Sequence, residues 1–124
     1  MVRVMASGVF DLIHPGHISY LQQARSFGDE LVVVVACDDT VRKNKHEPIT
    51  PDYMRAKIVG SLKPVDVAIV GKNNGDIFDT EKLRESLEKE GLGHIRVERA
   101  TETADDLNAT RRIVKKIKEM GGVQ

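Results

Sequence analysis

Gly8-Val9-Phe10-Asp11-Leu12-Ile13-His14-Pro15-Gly16-His17 decides how this chain is read. It joins a short apolar run at residues 2–6 to an amphipathic segment at residues 15–27, so it sits where a strand hands over to a helix. In an open α/β sheet that junction holds phosphates, because the helix N-terminus offers unpaired N–H groups and a positive end. His14 and His17 are three residues apart and can point the same way from the first helical turn. Gly8 and Gly16 let a ligand approach the backbone closely. Pro15 suits the first turn, where its missing N–H is not needed. Residue types and spacing agree on one use, the binding and polarising of a nucleotide phosphate. His-x-Gly-His alone would equally describe a capped turn; the strand before it and the helix after it separate the two.

The rest of the chain alternates strand and helix patterns. The helix at 15–27 turns Ile18, Leu21 and Ala24 inward and ends at Gly28. Residues 30–36 contain Leu-Val-Val-Val-Val-Ala, a run for a strand buried on both faces of a parallel sheet. Residues 38–47 read as a polar, lysine-bearing loop. A second helix follows, with Thr50 as N-cap and Pro51 in its first turn, running through Ser61. Its apolar face is Met54, Ile58 and Leu62. Residues 65–70 form a third strand and 71–75 a glycine–asparagine loop. A charged helix at 81–90 places Leu83 and Leu87 inward and stops at Gly91. Residues 94–99 alternate as a half-exposed strand, and 105–120 form a last helix with Leu107, Ile113, Val114 and Ile117 apolar. The pattern predicts a Rossmann-like, doubly wound parallel sheet in three α/β/α layers, with right-handed crossovers and four strands.

Composition narrows the function. At 124 residues the chain is expected to form one domain. Its 19 basic and 19 acidic residues cancel, so no global field recruits nucleic acid or a membrane. The single cysteine, Cys37, excludes an internal disulfide and reads as a buried, inert thiol. There is no signal-peptide pattern and no apolar run of membrane-spanning length, so a cytoplasmic location is expected. His14 and His17 lack nearby Cys or further His partners, which argues against zinc. His46 and His94 read as surface residues. The basic run from Arg111-Arg112 to Lys118 reads as a solvated helix face, because Glu102, Asp105 and Asp106 lie just before it.

Gly-x-Phe-Asp-x-x-His-x-Gly-His resembles the nucleotide-binding motif of the cytidylyltransferase-like nucleotidyltransferases. The first 78 residues are similar, more narrowly, to the archaeal FAD synthases. That likeness is carried by Met-Ala-Ser-Gly-Val-Phe-Asp, Gly-Asp-Glu-Leu-Val-Val-Val-Val-Ala, Asp39-Thr-Val-Arg-Lys-Asn-Lys, Arg55, Val65-Asp66 and Gly75-Asp76-Ile-Phe78. After Phe78 the chain departs from the pattern. A strand and its crossover, a dozen residues or more, are missing. The serine/threonine-rich turn before the last helix is represented only by Arg99-Ala-Thr101 and Asn108-Ala-Thr110. With that strand missing, residues 94–99 are expected to pair directly and in parallel with residues 2–6. The sheet order becomes third, second, first, fourth.

The resemblance implies in-line attack of an acceptor phosphate on the α-phosphate of a nucleoside triphosphate, releasing pyrophosphate without a covalent intermediate. In the FAD synthase version the triphosphate is ATP and the acceptor FMN. The alternatives are a cytidylyltransferase acting on glycerol 3-phosphate or a similar phospho-alcohol, and a nucleotide-binding module without turnover. The candidate catalytic residues are His14, His17, Lys43 and Arg55. Gly8, Val9, Phe10, Gly16, Lys45, Thr110 and Arg111 are the candidates for holding the nucleotide. Lys43 and Lys45 would close over the phosphates, unless they are ordinary solvated loop charges. Arg55 is a phosphate clamp or one half of a surface salt bridge. Asp11 would hold a magnesium-bound water or an acceptor hydroxyl, or cap the turn before the helix. Asp38 and Asp66 face the acceptor or simply end their strands. Magnesium is expected on the triphosphate oxygens, with no dedicated protein ligands. A homodimer is a further expectation.

Overall fold

Two apolar faces alternate along the strands. Val4, Ala6, Leu31, Val33 and Val35 belong to one buried cluster, and Met5, Val32 and Val34 to the other. This is the two-residue period of strands covered on both sides. The computed structural model describes residues 2–73, 75–92 and 95–96. It contains β1 (Arg3–Gly8), β2 (Glu30–Val35), β3 (Val67–Val70) and β4 (Ile95–Arg96), in a four-stranded sheet ordered β3-β2-β1-β4. All pairs are parallel. Arg3 stands opposite Glu30 on one side and Ile95 on the other. Val33 stands opposite Ala68. The order matches the sequence expectation, and the described part of 94–99 pairs with β1 as expected.

The helices are α1 (Pro15–Arg25), α2 (Asp38–Asn44), α3 (Asp52–Gly60) and α4 (Thr80–Leu87). Leu21 and Ala24 of α1 and Val59 of α3 join the first cluster; Leu83 and Leu87 of α4 join the second. Right-handed crossovers require this. The chain winds from β1 to β3 in one direction with α1 and α3 on one face. It then returns across the sheet to β4 with α4 on the other. The turn in strand order lies between β1 and β4. Asp79 caps α4 by accepting from the Lys82 N–H. The chain leaves the helical path at Gly91, whose φ of 93° favours glycine.

Four expectations need correction. Residues 38–47 are not all loop: 38–44 form α2. Asp38 and Asp39 in its first turn suit the helix dipole, and Thr40 and Val41 are buried. Thr50 does not cap α3; the residue before the helix is Pro51, with no side-chain bond. The face of α3 turned inward is Arg55 and Val59, whereas Met54 and Ile58 are 45% and 47% exposed. Cys37 is half-buried rather than buried, with its Sγ 3.1 Å from Thr40 Oγ1. His94, Arg99, Thr101, Thr110, Arg111 and the expected helix at 105–120 lie outside the described residues. No described helix is long and apolar enough to cross a membrane.

Candidate active site

The first turn of α1 is capped by its own histidines. His14 is the N-cap, in extended conformation, and its Nδ1 accepts from the Gly16 N–H at 3.1 Å. The Nδ1 of His17 accepts in return from the His14 N–H at 3.2 Å. This is a capping box in which two imidazoles replace the usual hydroxyl and carboxylate. Accepting at Nδ1 places the proton of each neutral ring on Nε2. The two rings lie face against face, centroids 3.8 Å apart and 32° from parallel. One local geometry therefore sets both tautomers and both ring orientations.

Phe10 supports that pair from behind. Its φ of 53° is in the left-handed region, a conformation that costs a non-glycine residue about 1–3 kcal/mol. The strain is compensated by burial: the ring is buried in the first cluster and packs at a tilt on His17, centroids 5.4 Å apart. A Cβ at Gly8 would stand 2.8 Å from Phe10 Cε2. Gly8 thus makes room for the ring that steadies His17, a role beyond ligand approach.

Arg55 is fully buried, and its guanidinium is spent within the protein. Nε donates to Thr50 O at 2.8 Å, Nη1 to Val9 O and Ala36 O, each at 2.8 Å, and Nη2 to Asp38 Oδ1 at 2.6 Å. It is neither a free phosphate clamp nor a surface salt bridge. It ties the ends of β1 and β2 to the segment before α3. Asp11 ties the same segment from the other side, its two oxygens accepting from the Ile49 and Thr50 N–H groups at 3.0 and 2.9 Å. It caps a turn, but the one before α3 rather than the one before α1. Asp38 is committed to Arg55. Asp66 lies at the opposite end of the sheet, where it accepts from the Leu31 N–H at 2.7 Å and pairs with Arg25 at 3.4 Å. Asp11 and Asp38 are engaged by protein partners beside the motif, and Asp66 lies at the far end of the sheet from it.

Beyond the carboxyl ends of β1 and β2 lies a cavity of about 150 Å³. Ser7, Gly8 and Val9 line it from the motif, and Ala36 from the end of β2. Thr40, Val41, Asn44 and Lys45 line it from α2, with Ile77 and Phe78 from the short 3-10 turn Asp76–Phe78. Lys45 reaches this space, whereas Lys43 lies on the exposed side of α2 and is not in its lining. Thr40 and Asn44 of α2, and Ile77 and Phe78 of the 3-10 turn, lie in stretches that the resemblance marked, but no residue pattern singled them out as lining a cavity. Among the described residues the groups with clearly raised pKa values are two arginines away from the motif: Arg42 donates to Glu47, and Arg84 donates to Glu81 and Glu88, which favours the charged form of each. Among the described residues no three His, Cys, Asp or Glu side chains are grouped to hold a metal.

The cytidylyltransferase-like family profile matches residues 5–120. An FAD synthase of Aciduliprofundum boonei is 45% identical over 94% of this chain and 91% of its own length. An FAD synthase of Thermoplasma acidophilum is 43% identical over 98% of both. These alignments run over 136 and 140 positions, more than the 124 residues available here, so the relatives carry residues with no counterpart in this chain. Among solved structures, one described as a lipopolysaccharide core biosynthesis protein of Thermoplasma volcanium superposes with a TM-score of 0.65 at 36% identity. It covers 83% of this chain and 98% of its own.

Proposed function

The chain belongs to the cytidylyltransferase-like family, and from that premise we propose that it transfers the adenylyl group of ATP to FMN, giving FAD and pyrophosphate. The observation that carries the proposal is the imidazole capping box at the N-terminus of α1, in a chain similar over nearly its whole length to archaeal FAD synthases. The acceptor's phosphomonoester has its second pKa near 6, so it is largely dianionic at neutral pH and needs no general base. One of its oxygens forms a bond to the α-phosphorus as the bond to the bridging oxygen breaks. Pyrophosphate leaves with the electron pair.

The protein's task is positioning and charge stabilisation. Nε2–H of His14 and of His17 donate to the phosphate chain as charge develops, and the positive end of α1 adds to them. The backbone of Gly8, Val9, Phe10 and Gly16 shapes the bed for the phosphates. Lys45 approaches from the end of α2, with Lys43 a longer-range positive charge. Thr110 and Arg111 are proposed to reach the triphosphate from the expected last helix. Magnesium fits as an ion carried by the triphosphate oxygens, since both Asp11 oxygens already accept backbone N–H groups. It would neutralise charge on the leaving pyrophosphate.

Product analysis tests this. With magnesium and FMN, ATP should give FAD and pyrophosphate, and CTP little of either. A preference for CTP with glycerol 3-phosphate would overturn the choice of substrates. Nucleotide binding with no pyrophosphate from any pair would overturn turnover itself.

A further inference from the structure

We infer that the cavity between the ends of β1 and β2, α2 and Phe78 takes the flat ring system of the acceptor, with the Phe78 ring as the face on which it stacks. This rests on FMN as the acceptor. Two flat rings must be housed in such a reaction, adenine and isoalloxazine. In a doubly wound sheet the nucleotide lies at the point where strand order reverses, here between β1 and β4. The cavity lies on the other flank of the motif, over β1 and β2, and is left for the second substrate.

The chemistry of its walls selects among acceptors. Val9, Val41, Ile77 and Phe78 make an apolar slot, and Phe78 keeps 60% of its surface in water. A small phosphorylated polyol gains nothing from such walls. A tricyclic ring with a methylated benzenoid edge covers them and shields Phe78. The opposite, pyrimidine-dione edge of that ring carries one N–H donor flanked by carbonyl acceptors. Asn44, at the end of α2, is the polar side chain in the lining suited to that edge. Asn44 Nδ2 donates to Thr40 O at 2.9 Å, which orients the amide and leaves its oxygen as an acceptor. No carboxylate is among the described lining residues, so the ring of the acceptor is recognised by shape and stacking.

The test measures FMN binding by quenching of flavin fluorescence and ATP binding by calorimetry, on the full chain. Phe78→Ala should weaken FMN at least tenfold, Phe78→Trp should restore it, and ATP affinity should stay within twofold. Lumiflavin, the ring without its phosphate tail, should compete with FMN. An unchanged FMN affinity in Phe78→Ala overturns the inference, as does a loss of ATP instead of FMN, or wild-type protein that binds no FMN. FAD formation is scored separately. Phe78-dependent FMN binding without FAD upholds the cavity and defeats the reaction. FAD formation indifferent to Phe78 does the reverse.

Discussion

His14 has two roles that a single substitution can separate. Its Nδ1 caps α1 and its Nε2–H is the proposed phosphate donor. His14→Ala removes both, so it should lose about 1 kcal/mol of stability with the cap and roughly a hundredfold or more in turnover. Asparagine is a good N-cap but its short amide cannot reach where the imidazole edge lies. His14→Asn should therefore keep the thermal midpoint of the wild type and still lose turnover. Melting curves beside kcat decide it: if His14→Asn is as active as the wild type, the ring does nothing but cap. Gly8 belongs to the same unit. Gly8→Ala drives a methyl into the Phe10 ring at 2.8 Å and should cost about 1–3 kcal/mol. Through His17 it should lower kcat as well. A Gly8→Ala protein with normal melting and normal kcat would show that the ring relaxes freely.

At the level of elements, α3 is held by charge where the sequence suggested oil. Arg55 carries four hydrogen bonds, to three carbonyls and Asp38. Arg55→Met strands those acceptors and should destabilise by about 3–5 kcal/mol. Arg55→Lys should fare little better, because one ammonium cannot span four acceptors in a fixed fork. Ile58→Lys, on the solvent side of the same helix, should shift stability by no more than about 0.5 kcal/mol. Urea unfolding midpoints read all three, and a larger loss for Ile58→Lys than for Arg55→Met would restore the apolar face as the inner one. The reason for the misreading is physical. Met54 and Ile58 and the pair Arg55 and Val59 both have helical spacing to Leu62, which packs on the core as expected, and burying an arginine requires partners from the ends of β1 and β2 and from Thr50 that no local pattern displays. By contrast, β2 was legible because four consecutive valines suit only a strand covered on both faces. Similarly, α1 was legible because its start and stop signals coincide with its period. Helix α2 was hidden: it has seven residues and only Thr40 and Val41 are buried. The cavity was hidden for a related reason: it is assembled from four segments distant in sequence, and no local pattern shows that they meet.

At the scale of the whole molecule, β4 is the strand that flanks β1 on the side away from β2. Without a partner on that side, β1 would present an unpaired edge beside its own phosphate motif. The described part of β4 stands opposite Arg3 and Val4. On the other side, β2 pairs with all six residues of β1 through Gly8. Parallel strands bond alternately to their two neighbours, so half of the β1 amides point toward β4. Near Val4, where β4 stands alongside, these should exchange slowly. The amides directed at β2 should be slow throughout. A nucleotide seated at the β1–β4 reversal lies beyond the carboxyl end of β1, so adding ATP with magnesium should slow exchange at Ser7 and Gly8 while β2 stays unchanged. Hydrogen exchange followed by NMR resolves the two sets of amides. Fast exchange of the β4-directed amides at Arg3 and Val4 would mean that β4 does not close this edge. Protection appearing only around Thr40 and Phe78 would move the nucleotide to the cavity side.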